Sequence, residues 1–161
     1  MALDIFMKLT DIKGESVDSK KKEEIDVLAW SWGMSQSGTT HMGGGGGSGK
    51  ANFQDISFTK YIDSSSNALM TALAKGTHIA EAVLTCRKAG AGQQDYIVVT
   101  MKEVIVTSIS TGGSGGEDRL TENVTLNFAE VSFAYTPQDG KGTVAGAKTF
   151  AWNIAENVAA G

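Results

Sequence analysis

The sequence predicts a mainly β protein, a small barrel or sandwich with a single helix, and three observations carry that reading. Apolar residues recur at a period of two along most of the chain, the pattern of half-buried strands. One segment only has the start and stop signals of a helix. The strand patterns also flip the parity of their apolar face part-way along, which requires a bulge, a twist between sheets or burial of both faces. Strands that bend from one sheet into another are how small barrels and sandwiches close. The 161 residues suit one domain, 1–161, built around one core.

Leu3, Ile5, Met7 and Leu9 alternate with Asp4 and Lys8, giving a first strand with one buried face. Gly14 to Lys22 is a polar connection. In the second strand Ile25 and Val27 share one face while Leu28, Trp30 and Trp32 share the other, so it either bends or is buried on both sides near its centre. Residues 34–50 read as a long glycine-rich loop, too poor in side chains to fill a core. The strand pattern resumes from Phe53 to Ile62, with Ile56, Phe58 and Ile62 facing one way. Asp63 or one of Ser64, Ser65 and Ser66 caps a helix through Ala68, Leu69, Met70, Ala72 and Leu73, which Gly76 ends.

Ile79 to Arg87 is strand-like, and two long strands follow, Tyr96 to Ser110 and Thr121 to Thr136. In the second, Val124, Leu126 and Phe128 have one parity and Val131, Phe133 and Tyr135 the other, with the flip near Ala129 and Glu130. Residues 111–119 are a glycine-rich connection and 137–147 a polar loop. Lys148 to Asn153 is a last short strand carrying Phe150 and Trp152.

The charge balance, 14 Lys and Arg against 18 Asp and Glu, argues against a sequence-independent nucleic-acid surface, which needs clustered cations. The run Lys20-Lys21-Lys22 is followed at once by Glu23-Glu24 and reads as a solvated turn. The first residues lack the basic and apolar regions of a secretory signal, and no window approaches the ~20 apolar residues of a spanning helix. The expectation is a protein made in the cytoplasm, without membrane insertion, whose export would use no cleavable signal peptide.

No motif supports catalysis or a cofactor. Gly44-Gly45-Gly46-Gly47-Ser48-Gly49-Lys50 has the spacing of a phosphate-binding loop, but Ala51 stands where the Mg²⁺-ligating hydroxyl belongs and a strand follows where a helix should open. Gly112 to Asp118 is a single copy of a calcium-repeat-like stretch, with Glu117 and Arg119 at positions the repeat does not tolerate. His41 and His78 have no metal-ligand partners at suitable spacing. Cys86 sits beside Ala82 and Leu84 as an inert buried thiol, with Arg87 sent to the opposite face by strand alternation. Trp30 and Trp32 read as core, which turns Ala29, Ser31 and Gly33 outward as a smooth, uncharged face. The competing reading is a secreted β-sandwich that binds carbohydrate through an exposed Trp30 and Trp32.

Several segments, in order, resemble the Hcp family, the haemolysin-coregulated proteins of the bacterial type VI secretion system. They are Leu28-Ala29-Trp30-Ser31-Trp32-Gly33-Met34-Ser35-Gln36-Ser37-Gly38, Gly43 to Gly47, Ser57-Phe58-Thr59-Lys60-Tyr61-Ile62-Asp63, and Ser110 to Phe128. The resemblance implies two sheets curled into a partial β-barrel with one flanking α-helix, similar to phage tail-tube proteins. It implies a homohexameric ring, stacked rings forming a tube inside a contractile sheath beneath a spike protein, and small effector proteins carried in the ring lumen. Carried onto this chain, Gly43, Gly44, Gly45, Gly46, Gly47 and Ser48 belong to a loop that contacts the next subunit or ring, and Ser31 is the lumen residue that meets effectors. No catalytic, metal or cofactor residue is implied.

Overall fold

A computed structural model, describing residues 3–38, 50–89, 94–137 and 146–160, shows an antiparallel β-barrel with one helix. In chain order the elements are β1 (Leu3–Leu9), β2 (Ile25–Ser31), β3 (Met34–Ser35), β4 (Asn52–Phe53), β5 (Ile56–Tyr61) and α1 (Ser65–Lys75). They continue with β6 (Ile79–Lys88), β7 (Asp95–Gly112), β8 (Thr121–Tyr135), β9 (Lys148–Asn153) and β10 (Val158–Ala159). The strands run β10-β9-β8-β5-β2-β1-β6-β7, and β7 returns to pair with β8. Six strands therefore close completely, where the expectation was a partial barrel; β9 and β10 extend the sheet past the closure. Full closure leaves those six strands without a free edge.

The long strand β8 makes this possible by changing partners along one side. Its first part, from Thr121 to Leu126, pairs with β5, and its second part, from Glu130 to Tyr135, pairs with β9. Its other edge follows β7 throughout. The expected parity flip lies at the changeover. Met101↔Val131 and Val104↔Phe128 are both inward, buried pairs, although strict alternation would turn one of them outward. The register does not slip between them. Instead Glu103, opposite the turn-over point at Ala129, adopts a left-handed conformation with φ 53°, which re-aims both strands together.

The phase change in β2 has a different cause. Val27 pairs with Lys60 and Ala29 with Thr59, so Leu28 is an extra residue, a bulge. Leu28 is left exposed while Trp30, opposite Phe58, turns back toward the core. A second bulge at Thr107 separates Val106↔Leu126 from Ser108↔Thr125.

The inward faces of the barrel strands form one core, including Met7, Ile25, Phe58, Leu84, Met101, Val124 and Leu126. The helix α1 lies against β7 and adds Leu69 and Ala72 to that core. Ser64 is its N-cap and makes no side-chain cap bond; Asp63, one residue earlier, accepts from the Ser65 amide through Oδ1 at 2.9 Å while its own amide donates to Ser66 Oγ at 3.0 Å. Gly76 ends it at φ 64°, with the Thr77 amide donating to Ala72 O at 2.9 Å.

Candidate functional site

The bulge at Leu28 places Ala29 and Ser31 on the outer face of the barrel, and the registers of β5, β8 and β7 continue that face as two cross-strand rows. One row is Ala29, Thr59, Asn123 and Ser110; the other is Ser31, Ser57, Thr125 and Ser108. Every member is small and none is ionised. Because neighbouring strands lie about 4.8 Å apart, each row runs roughly 14 Å across the sheet. Ser31 thus belongs to a four-strand, hydroxyl-rich surface.

The groups on this surface bond to one another. Thr59 Oγ1 meets Asn123 Oδ1 at 2.6 Å, and Thr125 Oγ1 lies 2.8 Å from Ser108 Oγ and 2.7 Å from Thr107 Oγ1. Asp55 forms one border, accepting from Thr107 Oγ1 at 2.7 Å and Asn127 Nδ2 at 2.9 Å. At the other end Arg119 stacks over the Tyr61 ring, 3.8 Å from its centroid. A hydrated, uncharged array of this kind offers hydrogen bonds and shape to a partner. Among the described residues no cluster of three His, Cys, Asp or Glu is arranged to hold a metal.

Directly behind this face, Lys60 and Glu122 pair across β5 and β8 and are buried in the barrel interior. Lys60 Nζ is bonded to Glu122 Oε1 and lies 3.0 Å from Asp63 Oδ1, 3.1 Å from Ser66 Oγ and 3.0 Å from Tyr61 O. Ser66 Oγ also donates to Glu122 Oε1 at 2.6 Å. The network ties the start of α1 to the two strands that carry Thr59 and Asn123. Sequence reasoning placed Ile62 in line with Ile56 and Phe58, but Ile62 is exposed and Lys60 takes the inward position. The signal was present: Lys60 has the parity of Ile56 and Phe58, and Glu122 that of Val124 and Leu126.

Cys86 is buried, and burial pushes its thiol up from the ordinary value. Arg87 does face away from the core, yet it is buried as well. Its guanidinium bridges Asp18 through Nη1 at 3.1 Å and Nη2 at 2.6 Å, reaches Asp4 at 3.3 Å, and sits 5.0 Å from the Phe6 ring centroid. The Arg87 fork holds the Asp18 carboxyl at about 2, and the two carboxylates raise Arg87.

Trp30 and Trp32 do not form an exposed platform. Both pack against the core, and Trp32 stacks with Phe53 and Phe133 at centroid distances of 6.4 and 6.3 Å. Its Nε1 donates to Gln54 O at 3.0 Å. The carbohydrate-binding reading is corrected by this packing, since Trp32 is held between two Phe rings and Trp30 packs on the core, which leaves no exposed pair of rings for a sugar. The predicted contact residues Gly43, Gly44, Gly45, Gly46, Gly47 and Ser48 lie outside the described residues, as does His41. The roots of their loop are paired, Met34 with Phe53 and Ser35 with Asn52, so residues counted as loop and strand form a small ladder. The 111–119 connection begins inside β7, which extends to Gly112, and is otherwise an exposed turn.

Comparison with known proteins gives a consistent result. The family model described as "Type VI secretion system effector, Hcp" matches residues 6–135. The chain is 61% identical to Protein hcp1 of Pseudomonas aeruginosa, over 99% of this chain and 100% of that protein. A solved type six secretion system protein superposes with a TM-score of 0.92 at 30% identity, covering 98% of this chain and 99% of the other. Hcp1 from Salmonella typhimurium gives 0.81 at 32% identity, covering 99% and 100%.

Proposed function

Because the chain belongs to the Hcp family of the type VI secretion system, we propose that it is the subunit of an expelled tube, with the Ser31 face as the wall that meets its cargo. Six copies close into a ring, rings stack within a contractile sheath beneath a spike protein, and small effectors ride in the lumen. The protein is made in the cytoplasm and leaves the cell through this machine. Its work is assembly and carriage.

The observation that supports this most directly is the pair of neutral rows around Ser31. A wall that lets varied cargo pass should lack fixed charge and large apolar groups, because either would hold some cargoes strongly and reject others. The rows meet that requirement over four strands. Gly43 to Gly47 and Ser48 are assigned to contacts with the next subunit or ring, by resemblance alone.

Electron microscopy and native mass spectrometry of the purified chain test the assembly, with six-fold open rings expected; a monomer at every practical concentration refutes it. For the cargo wall, rings of Ser31→Gln and of the parent chain are isolated from the secreting cell and their co-purifying proteins compared. Intact rings that have lost cargo are expected. Unchanged cargo in intact rings removes Ser31 from the role.

A further inference from the structure

We propose that residues 10–24 form a hinged strap across the outer face of β1 and β6, latched by Arg87 and able to open while the barrel stays closed. The two ends carry hinges. Asp11 and Glu23 each adopt a left-handed conformation at φ 64°, a strained state for residues with side chains. Between them the backbone bonds mainly to itself: the Gly14 amide donates to Glu23 O at 2.8 Å, Ser16 to Glu24 O at 3.0 Å, and Glu23 to Ser16 O at 2.9 Å.

The strap's hold on the barrel is largely polar. Ile12, near its root, packs against the core, and Gly14 and Ser16 are buried, with Gly14 close against Ile25, but Val17 at its far end is 94% exposed. Thr10 bonds Glu81 O at the root, and Glu15 accepts from the Ser64 amide. The ionic anchor is Asp18, whose carboxylate grips both terminal nitrogens of Arg87 and also receives the Lys20 and Lys21 amides. Segments with few buried apolar contacts open locally at a fraction of the global free energy.

Opening breaks the Arg87 fork together with the strap's own backbone bonds, and it leaves the barrel's ladders intact. It bares the β1 and β6 face on which Phe6, Thr85 and Arg87 are buried. In the closed strand order, β1 and β6 stand across the barrel from β8 and β5. The Ser31 face uses the other four barrel strands, of which β2 and β7 adjoin β1 and β6.

Hydrogen exchange followed by mass spectrometry tests the device on the full chain. Asp18→Asn keeps the shape of the latch and removes its charge; Asp4→Asn removes the longer, more exposed partner of Arg87. Exchange of the Gly14, Ser16 and Glu23 amides is expected to rise about tenfold in Asp18→Asn and less in Asp4→Asn, with β7 and β8 amides unchanged. Strap amides that keep their parent rates overturn the proposal. So does acceleration by one common factor in strap and barrel, which would mean that the strap opens only when the whole chain unfolds.

Discussion

Replacing Lys60 by Met is expected to destabilise the chain by about 3–5 kcal/mol, the cost of breaking a buried ion pair from one side. The structure says why the upper part of that range applies. Lys60 Nζ is the cation between Glu122 and Asp63, and Ser66 and Tyr61 complete its shell. Removing it leaves two carboxylates facing each other behind the sheet, and the Glu122 side chain is 0% exposed, so water cannot compensate. Glu122→Gln should cost less, because Asp63 and Ser66 still face the ammonium. Lys60→Met combined with Glu122→Leu removes both buried charges and should recover more than half of the single-variant loss. Urea titration followed by far-UV circular dichroism, at one protein concentration, measures all three. For a chain of this size the single variant's loss corresponds to a melting temperature lower by roughly 10 °C. A Lys60→Met cost below about 1 kcal/mol, or a double variant as unstable as the single, would refute the reasoning.

Three further outcomes follow from specific contacts. A Cβ at Gly14 would lie 2.5 Å from Glu24 O and 2.7 Å from Ile25 Cα, both backbone atoms, so Gly14→Ala should cost about 1–3 kcal/mol in the same titration. The Asp18 carboxyl titrates at about 2 in the fold against an ordinary value of 3.8, so its contribution is present above pH ~4 and is lost as pH falls through about 2. Asp18→Asn should flatten that part of an acid-unfolding profile, whereas Glu24 and Asp26, pushed up by burial, act in the opposite sense and gain from protonation. Cys86, buried and with its thiol pushed up, should resist alkylation in the native protein and react once it is unfolded; mass spectrometry of labelled protein reads this directly.

Period-two patterning was enough to find most strands and the faces of β1 and the first half of β8, because alternation is set by local backbone geometry. The run Asp63 to Ser66, of which Ser64 is the N-cap, and Gly76 marked the helix for the same reason: caps are local chemistry. The same parity argument turned Ser31 outward and recognised that β2 and β8 had to change phase. It did not find Val158–Ala159, too short a strand to carry a pattern, or the Met34–Phe53 ladder at the base of the glycine-rich loop.

The order of residues also carried the one helix among the described residues and the family likeness of Leu28 to Gly38 and Ser110 to Phe128. Tertiary structure alone decided that β7 returns to β8 and closes the barrel, that one phase change is a bulge and the other a left-handed Glu103, and that Lys60, Glu122 and Arg87 are buried. The physical reason is range. A side chain's face depends on its immediate neighbours, whereas burial of a charge depends on partners such as Glu122 or Asp18, more than 60 residues away, arriving at the same place.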